Sequence, residues 1–360
     1  MLFWYTLVLA FLYVAFPPAR YLLYTVSFLV ILVALGDGEV RIGDEAKPFL
    51  AFCLAGVAFM PLARLEGVKD LFFVFCGISV ALLIDIPNLK TWSVFWLNTL
   101  AMCLFFIFYG GLRSGFEFGL VESKSTFEGS AAFLFGLLVI VALLERRYWL
   151  MLLSALMAVV ALKRIALLAA LVAAMFIILG ERRGRIILNP RVMILVNSLV
   201  LVASLLYGSG ALDRPIKDLT GMSANQLGMG REELLSVPTN AMIDDPYRFL
   251  VFGAGPGGVY DHLVKFSGTT QIKQALHNDL VKITYEYGYI FFLIFVWLMY
   301  SCKDYRLRTL FLYLNILYMT DNTLIYSFFL VIFVTLARLV PERVSLATKM
   351  TGDGLARQGH

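Results

Sequence analysis

The sequence predicts an all-α, polytopic integral membrane protein, and three observations predict it. Of 360 residues, 60% are hydrophobic, against about 45–50% in soluble domains. Only 15% are charged, where about 25% is usual. Apolar runs of about 15 to 22 residues recur along the whole chain, close to the ~20 that a helix needs to cross a ~30 Å hydrocarbon core. A soluble core of this size cannot hide so much apolar surface, whereas lipid accepts it.

Runs bounded by charges or by Gly and Pro place candidate spans at 2–16, 20–35, 48–63, 69–87, 92–112, 130–145, 148–162, 165–180, 192–208, 278–300, 309–320 and 322–340. The first lacks a basic leader and a small-residue cleavage pattern, and the second follows almost at once, so a retained helix is expected rather than a signal peptide. The 309–320 run is short for a crossing. Eleven spans with a re-entrant piece is therefore the alternative to twelve. Four cysteines, Cys53, Cys76, Cys103 and Cys302, lie in or beside apolar runs without CxxC spacing. They read as packing residues, and neither a metal nor a cofactor is expected.

Orientation follows from Arg182, Arg183, Arg185 and Arg191, set against Glu181 alone; such a basic loop is held in the cytoplasm. Lys303, Arg306 and Arg308, and the tail with Arg343, Lys349 and Arg357, agree. Counting outward divides the chain into a bundle of about nine spans at 1–208, a large external loop at 209–276, C-terminal helices at 277–340 and a cytoplasmic tail at 341–360. The external loop carries six Lys or Arg against seven Asp or Glu, a balance suited to a translocated segment. The acidic stretch 36–47 lands inside and fits less well. The formal charge of +5 speaks to orientation, and no nucleic-acid partner is expected.

A few polar residues depart from this scheme. Lys163 and Arg164 fall on the external side between two runs too short to cross squarely, so their turn sinks toward the hydrocarbon. Their side chains either snorkel to the headgroups or serve a ligand. His277 stands in His277-Asn278-Asp279-Leu280, directly before an apolar helix that Asn278 or Asp279 can cap. A helix N-terminus disfavours added positive charge, which suits a general base; an interfacial histidine bonded to loop backbone is the alternative. Gly253, Gly255, Gly257 and Gly258 offer a tight turn or a close approach to ligand, with neither the Walker lysine nor a dinucleotide-binding context. Arg231 and Arg248 can grip phosphate oxygens or pair with neighbouring acids. Asp321 interrupts apolar sequence, where it can orient an imidazole, bind a sugar hydroxyl or brace a turn.

Together, Phe252-Gly253-Ala254-Gly255-Pro256-Gly257, His277-Asn278-Asp279-Leu280 and Glu286-Tyr287-Gly288 resemble the signature region of the O-antigen ligase and polymerase superfamily. Lys163-Arg164-Ile165-Ala166 is similar to the family's short basic motif, and Asp321-Asn322-Thr323 to a late motif of its polymerases. The resemblance covers about 155–325. It implies a metal-independent, inverting GT-C-type glycosyltransferase acting on undecaprenyl-diphosphate-linked oligosaccharides at the periplasmic face of the inner membrane. His277 would be the base, with Arg164 and Arg231, helped by Lys163 or Arg248, on the diphosphate. Asn278, Asp279, Asp321, Glu286, Gly253 and Gly255 would support the substrate. The motifs look more like polymerases than ligases, and a chain-length regulator is a possible partner. A transporter or flippase of lipid-linked sugar is the alternative of another class, although no internal repeat is visible.

Overall fold

The computed structural model describes residues 2–36, 42–82, 89–109, 118–119, 124–125, 129–228, 230–267 and 276–340. The expected tail at 341–360 lies outside them. Apart from a pair of two-residue strands, Phe118–Gly119 and Lys124–Ser125, the regular structure is helical, and the chain is an all-α polytopic membrane protein. Pro17–Gly36, Thr91–Tyr109 and Pro190–Gly208 are each long and apolar enough to cross a bilayer alone. Shorter apolar helices occupy seven of the other expected spans: Leu2–Ala15, Lys47–Ala58, Ala131–Leu144, Tyr148–Val160, Arg164–Leu179, Tyr289–Tyr300 and Ser327–Val340; Leu65–Ile78 covers part of the 69–87 run.

The centre of the bundle is the Ala131–Leu144 helix, buried from Ala131 to Ala142. Around it stand Thr91–Tyr109, Tyr148–Val160, Arg164–Leu179 and Tyr305–Tyr318. Lipid provides no hydrophobic drive between helices, so close approach of small residues has to hold them together. Arg164–Leu179 accordingly buries Ala166, Ala169, Ala170 and Ala173 as one stripe. A Cβ at Gly136 of the central helix would strike the Tyr313 ring, and Tyr313 donates its hydroxyl to the Phe133 carbonyl (2.6 Å). The opposite surfaces are greasy and open, as at Trp149, Leu171, Ile178, Leu195 and Leu199. That is how a lipid-facing surface looks.

Two expected elements are refined. The 278–300 run is not one helix but Asp279–Tyr287 and Tyr289–Tyr300, broken at Gly288, whose φ of 84° a side chain would adopt only under strain. The expected external loop at 209–276 is largely helical in its described residues, with Asp213–Thr220, Ala224–Leu227, Arg231–Asp244, Pro246–Val251 and Gly258–Ser267. The short 309–320 run belongs to Tyr305–Tyr318, which is buried through most of its length.

Candidate functional site

Three chain segments far apart in sequence deliver polar groups to one end of the bundle, the end opposite the basic 181–191 segment. The turn after Tyr148–Val160 supplies Lys163, the turn after Tyr305–Tyr318 supplies Asp321, and the approach to Asp279–Tyr287 supplies His277. Asp321 is 2% exposed. Its Oδ2 lies 3.5 Å from Lys163 Nζ, and its Oδ1 lies 3.8 Å from His277 Nδ1. The second distance is beyond a hydrogen bond, which ends near ~3.5 Å. The imidazole is thus aimed at the carboxylate without touching it.

The surroundings fix that carboxylate. Asp321 Oδ1 accepts from the backbone N–H of Asn322 (2.8 Å) and from the Tyr326 hydroxyl (3.2 Å). Lys163 Nζ also sits over the Phe133 ring, 5.5 Å from its centre, a cation–π contact made at the head of the central helix. Burial acts to raise the Asp321 carboxyl, but the His277 side chain, Lys163 and the Asn322 N–H outweigh it and hold the group below its ordinary value. Asp321 therefore braces its turn and faces the imidazole at once.

Backbone conformation sets these groups apart from their neighbours. His277 has φ 53° and Leu162, directly before Lys163, has φ 48°. A non-glycine residue held there costs about 1–2 kcal/mol, and such strain concentrates at functional sites. Arg146 has the same conformation (φ 58°) in a plain turn at the other end, so the geometry alone is not diagnostic. What distinguishes His277 is its buried Nδ1 with no hydrogen-bond partner among the described residues. Asp279 Oδ1, Thr320 Oγ1 and Thr323 Oγ1, from the same end, share that condition. This end of the bundle has hydrogen-bonding capacity to offer a hydroxylated ligand.

The other expected residues sort into scaffold and periphery. Asn278 caps its helix, accepting from Val281 N–H (2.9 Å), and its Nδ2 reaches Ser204 (3.4 Å). Asp279 accepts from Leu324 N–H (2.9 Å), tying this helix to the Asp321 turn. Glu286, 1% exposed, accepts from Gly257 N–H (3.0 Å) and so holds the glycine loop. The loop also docks by backbone: Ala254 N–H to the Tyr285 carbonyl (2.8 Å), Gly255 N–H to the Glu286 carbonyl (2.9 Å), and Arg64 N–H to the Pro256 carbonyl (2.8 Å). At Gly253 and Gly257, both with positive φ, a Cβ would overlap the backbone of Glu286 or Gly67. The glycines serve close packing of chain on chain.

Arg248 donates Nε to the Gly253 carbonyl (3.2 Å) and lies over Phe249. Arg231 opens its helix at Arg231–Asp244. Among the described residues no hydrogen bond or ion pair joins either arginine to His277 or Asp321. Arg164 follows Lys163 at the first position of Arg164–Leu179 and is exposed.

Sequence reasoning missed a buried ion pair one turn along from Asn278. Lys282 Nζ meets Asp70 Oδ2, the two side chains 3% and 8% exposed, with the Tyr260 hydroxyl 3.5 Å from Nζ. The available signal was Lys282 and Glu286 at i, i+4 inside an otherwise apolar run. Nothing in the sequence pointed to Asp70, 212 residues away.

Comparison with curated proteins and with solved structures finds no match. A family model described as O-antigen ligase matches residues 149–296, a stretch that holds Lys163, Arg164, Arg231, Arg248 and His277 and stops before Asp321. Over that stretch the chain is similar to the O-antigen ligase family, and the match lies on a polytopic helical bundle.

Proposed function

We propose that this protein is an inverting glycosyltransferase that joins undecaprenyl-diphosphate-linked oligosaccharide repeat units into a surface polysaccharide at the external face of the bacterial inner membrane. The observation that carries this reading is the His277 imidazole facing buried Asp321, itself paired with Lys163. A neutral imidazole accepts the proton of an acceptor-sugar hydroxyl as that oxygen attacks the anomeric carbon of the donor. The bond from that carbon to the diphosphate breaks, and the carrier diphosphate leaves with the electron pair. Asp321 orients the ring and stabilises the imidazolium that forms, as a carboxylate does behind a catalytic histidine.

The leaving diphosphate needs fixed positive charge. Arg164 begins a helix, where the macrodipole disfavours a cation by about 0.3–1 kcal/mol; an anionic ligand would offset that cost. Its planar fork suits a diphosphate, with Arg231 as the second donor from the external loop. Asn278 Nδ2 reaches Ser204, four residues before the end of Pro190–Gly208, which sets the site about 6 Å below that end. A diphosphate on a membrane-embedded lipid lies at a comparable level.

The test is the glycan profile of a deletion strain carrying variants of the gene. His277→Ala should leave a folded, inserted protein and single repeats on the surface in place of a ladder. A persisting ladder would refute the base assignment. Arg164→Ala should be severely impaired and Arg164→Lys partly so, because lysine keeps the charge and loses the fork. The description of the matching family favours a second reading, transfer of finished polymer onto lipid A core. In that case the deletion strain would strand polymer on the carrier. Flipping of carrier-linked units in vesicles without any transfer would instead mark a transporter.

A further inference from the structure

The Pro190–Gly208 helix measures depth, since each residue rises about 1.5 Å. Tyr289 donates its hydroxyl proton to Ser198 (2.8 Å). Ser198 lies ten residues before the external end at Gly208, so the break at Gly288 sits about 15 Å below that end. The 12 residues of Tyr289–Tyr300 agree, extending only about 18 Å from the internal turn against a hydrocarbon core of ~30 Å. The backbone of Val251 and Phe252 packs directly on Gly288, where a Cβ would overlap it. This part of the external region therefore does not stand off in water.

Its path explains how it gets there. Arg231–Asp244 packs along Pro190–Gly208, with Leu235 and Thr239 against Gly208, and continues inward to Asp244. Pro246–Val251 then lies against Tyr289–Tyr300, and Gly258–Ser267 follows. The low point is apolar and open: Ile243, Leu250 and Phe252 are exposed, and Tyr247 is 84% exposed. It continues the exposed strip Ile290, Ile294 and Trp297 of the adjoining span, a surface that faces lipid.

The charges here suit an interface. Asp245 accepts from the Arg248 backbone N–H (3.4 Å), Arg248 is tethered to Gly253, and Asp244 is exposed. Long or terminal polar groups at such a place reach headgroups while their apolar neighbours stay among acyl chains.

We propose that residues 243–252 form a wedge seated in the outer leaflet, with Ile243, Tyr247, Leu250 and Phe252 among the acyl chains and the Asp244 and Arg248 side chains directed toward the headgroups. The partner is the bilayer itself. The wedge runs straight into the Gly253–Gly257 loop, so its seating sets the height of the helix that follows His277. The proposal does not depend on which transfer the protein catalyses.

Spin labels on Tyr247→Cys and Phe252→Cys test it, in full-length protein with Cys103, the exposed native thiol, replaced by Ser. The protein is placed at low density in phosphatidylethanolamine and phosphatidylglycerol vesicles, with Thr220→Cys as the water-exposed reference. Power-saturation EPR compares collisions with oxygen, which concentrates among acyl chains, and with a water-soluble nickel chelate. The wedge predicts an oxygen-to-nickel ratio several-fold higher at 247 and 252 than at 220. Equal ratios would overturn it, and so would shielding from both reagents, which would mean that protein covers the segment. Should either variant fail to fold, Ile243→Cys is read in the same way.

Discussion

At the scale of single residues, the decisive arrangement is Lys163, Asp321 and His277, and it makes a prediction about pH. The Asp321 carboxyl lies below its ordinary value of 3.8 because the His277 side chain and Lys163 outweigh its burial. A depressed native value means that its stabilising contribution is fully present above that ordinary value and is lost as pH falls through the lower, native one. Asp321 therefore stays ionised throughout the range from pH 5 to 8, where histidine side chains titrate. Lys163→Gln removes a cation that opposes burial, so the carboxyl should move up and the midpoint of acid unfolding in detergent should shift to higher pH. Lys163→Arg should keep that midpoint in place. A raised donor KM in vesicles with an unmoved midpoint would instead assign Lys163 to the diphosphate alone.

At the scale of elements, the Lys282–Asp70 pair joins Asp279–Tyr287 to Leu65–Ile78. Removing one member leaves a buried charge without its partner, at a cost of about 3–5 kcal/mol. Lys282→Met and Asp70→Leu should each lower the unfolding temperature in detergent markedly, and the double variant should regain most of the loss. Additive losses in that double-mutant cycle would show that the two side chains do not interact. The same pair shows where sequence reading stops. Lys163, His277 and Asp321 were each legible, because a polar residue in apolar sequence requires a reason. Their convergence was not legible, since it arises from the packing of Arg164–Leu179 and Tyr305–Tyr318 around the central helix. Asp70 gave no local signal at all. Its reason for being buried is Lys282, and that reason is tertiary. Conversely, the glycine loop was legible as a tight turn, because positive φ and close approach act locally; what it approaches, Glu286 and Gly67, was not.

At the scale of the whole molecule, the open question in the sequence was parity, eleven crossings or twelve. Tyr305–Tyr318 has 14 residues, about 21 Å of helix, too short to cross a bilayer unaided. It is nevertheless buried along most of its length, against Arg164–Leu179 and Ala131–Leu144, so it meets protein rather than lipid and need not match the bilayer thickness. Its start at Tyr305 sends a hydroxyl to the Phe176 carbonyl near the internal end of Arg164–Leu179, and its far end reaches the turn of Asp321, beside Lys163 at the opposite end of that helix. The two helices therefore run antiparallel over the same height, and Tyr305–Tyr318 is a full crossing. Taken with the other expected spans and the basic-loop rule, this predicts twelve crossings, with Ser301 inside and Thr220 outside. Thr220→Cys should react with a membrane-impermeant maleimide in intact spheroplasts, whereas Ser301→Cys, also at an exposed position, should react only after the membrane is opened. Cysteine placed at Gly36, in the acidic segment that fits the charge rule least well, should behave like Ser301; labelling of that position from outside would remove a crossing from the first half of the chain and detach the site from the face assigned to it.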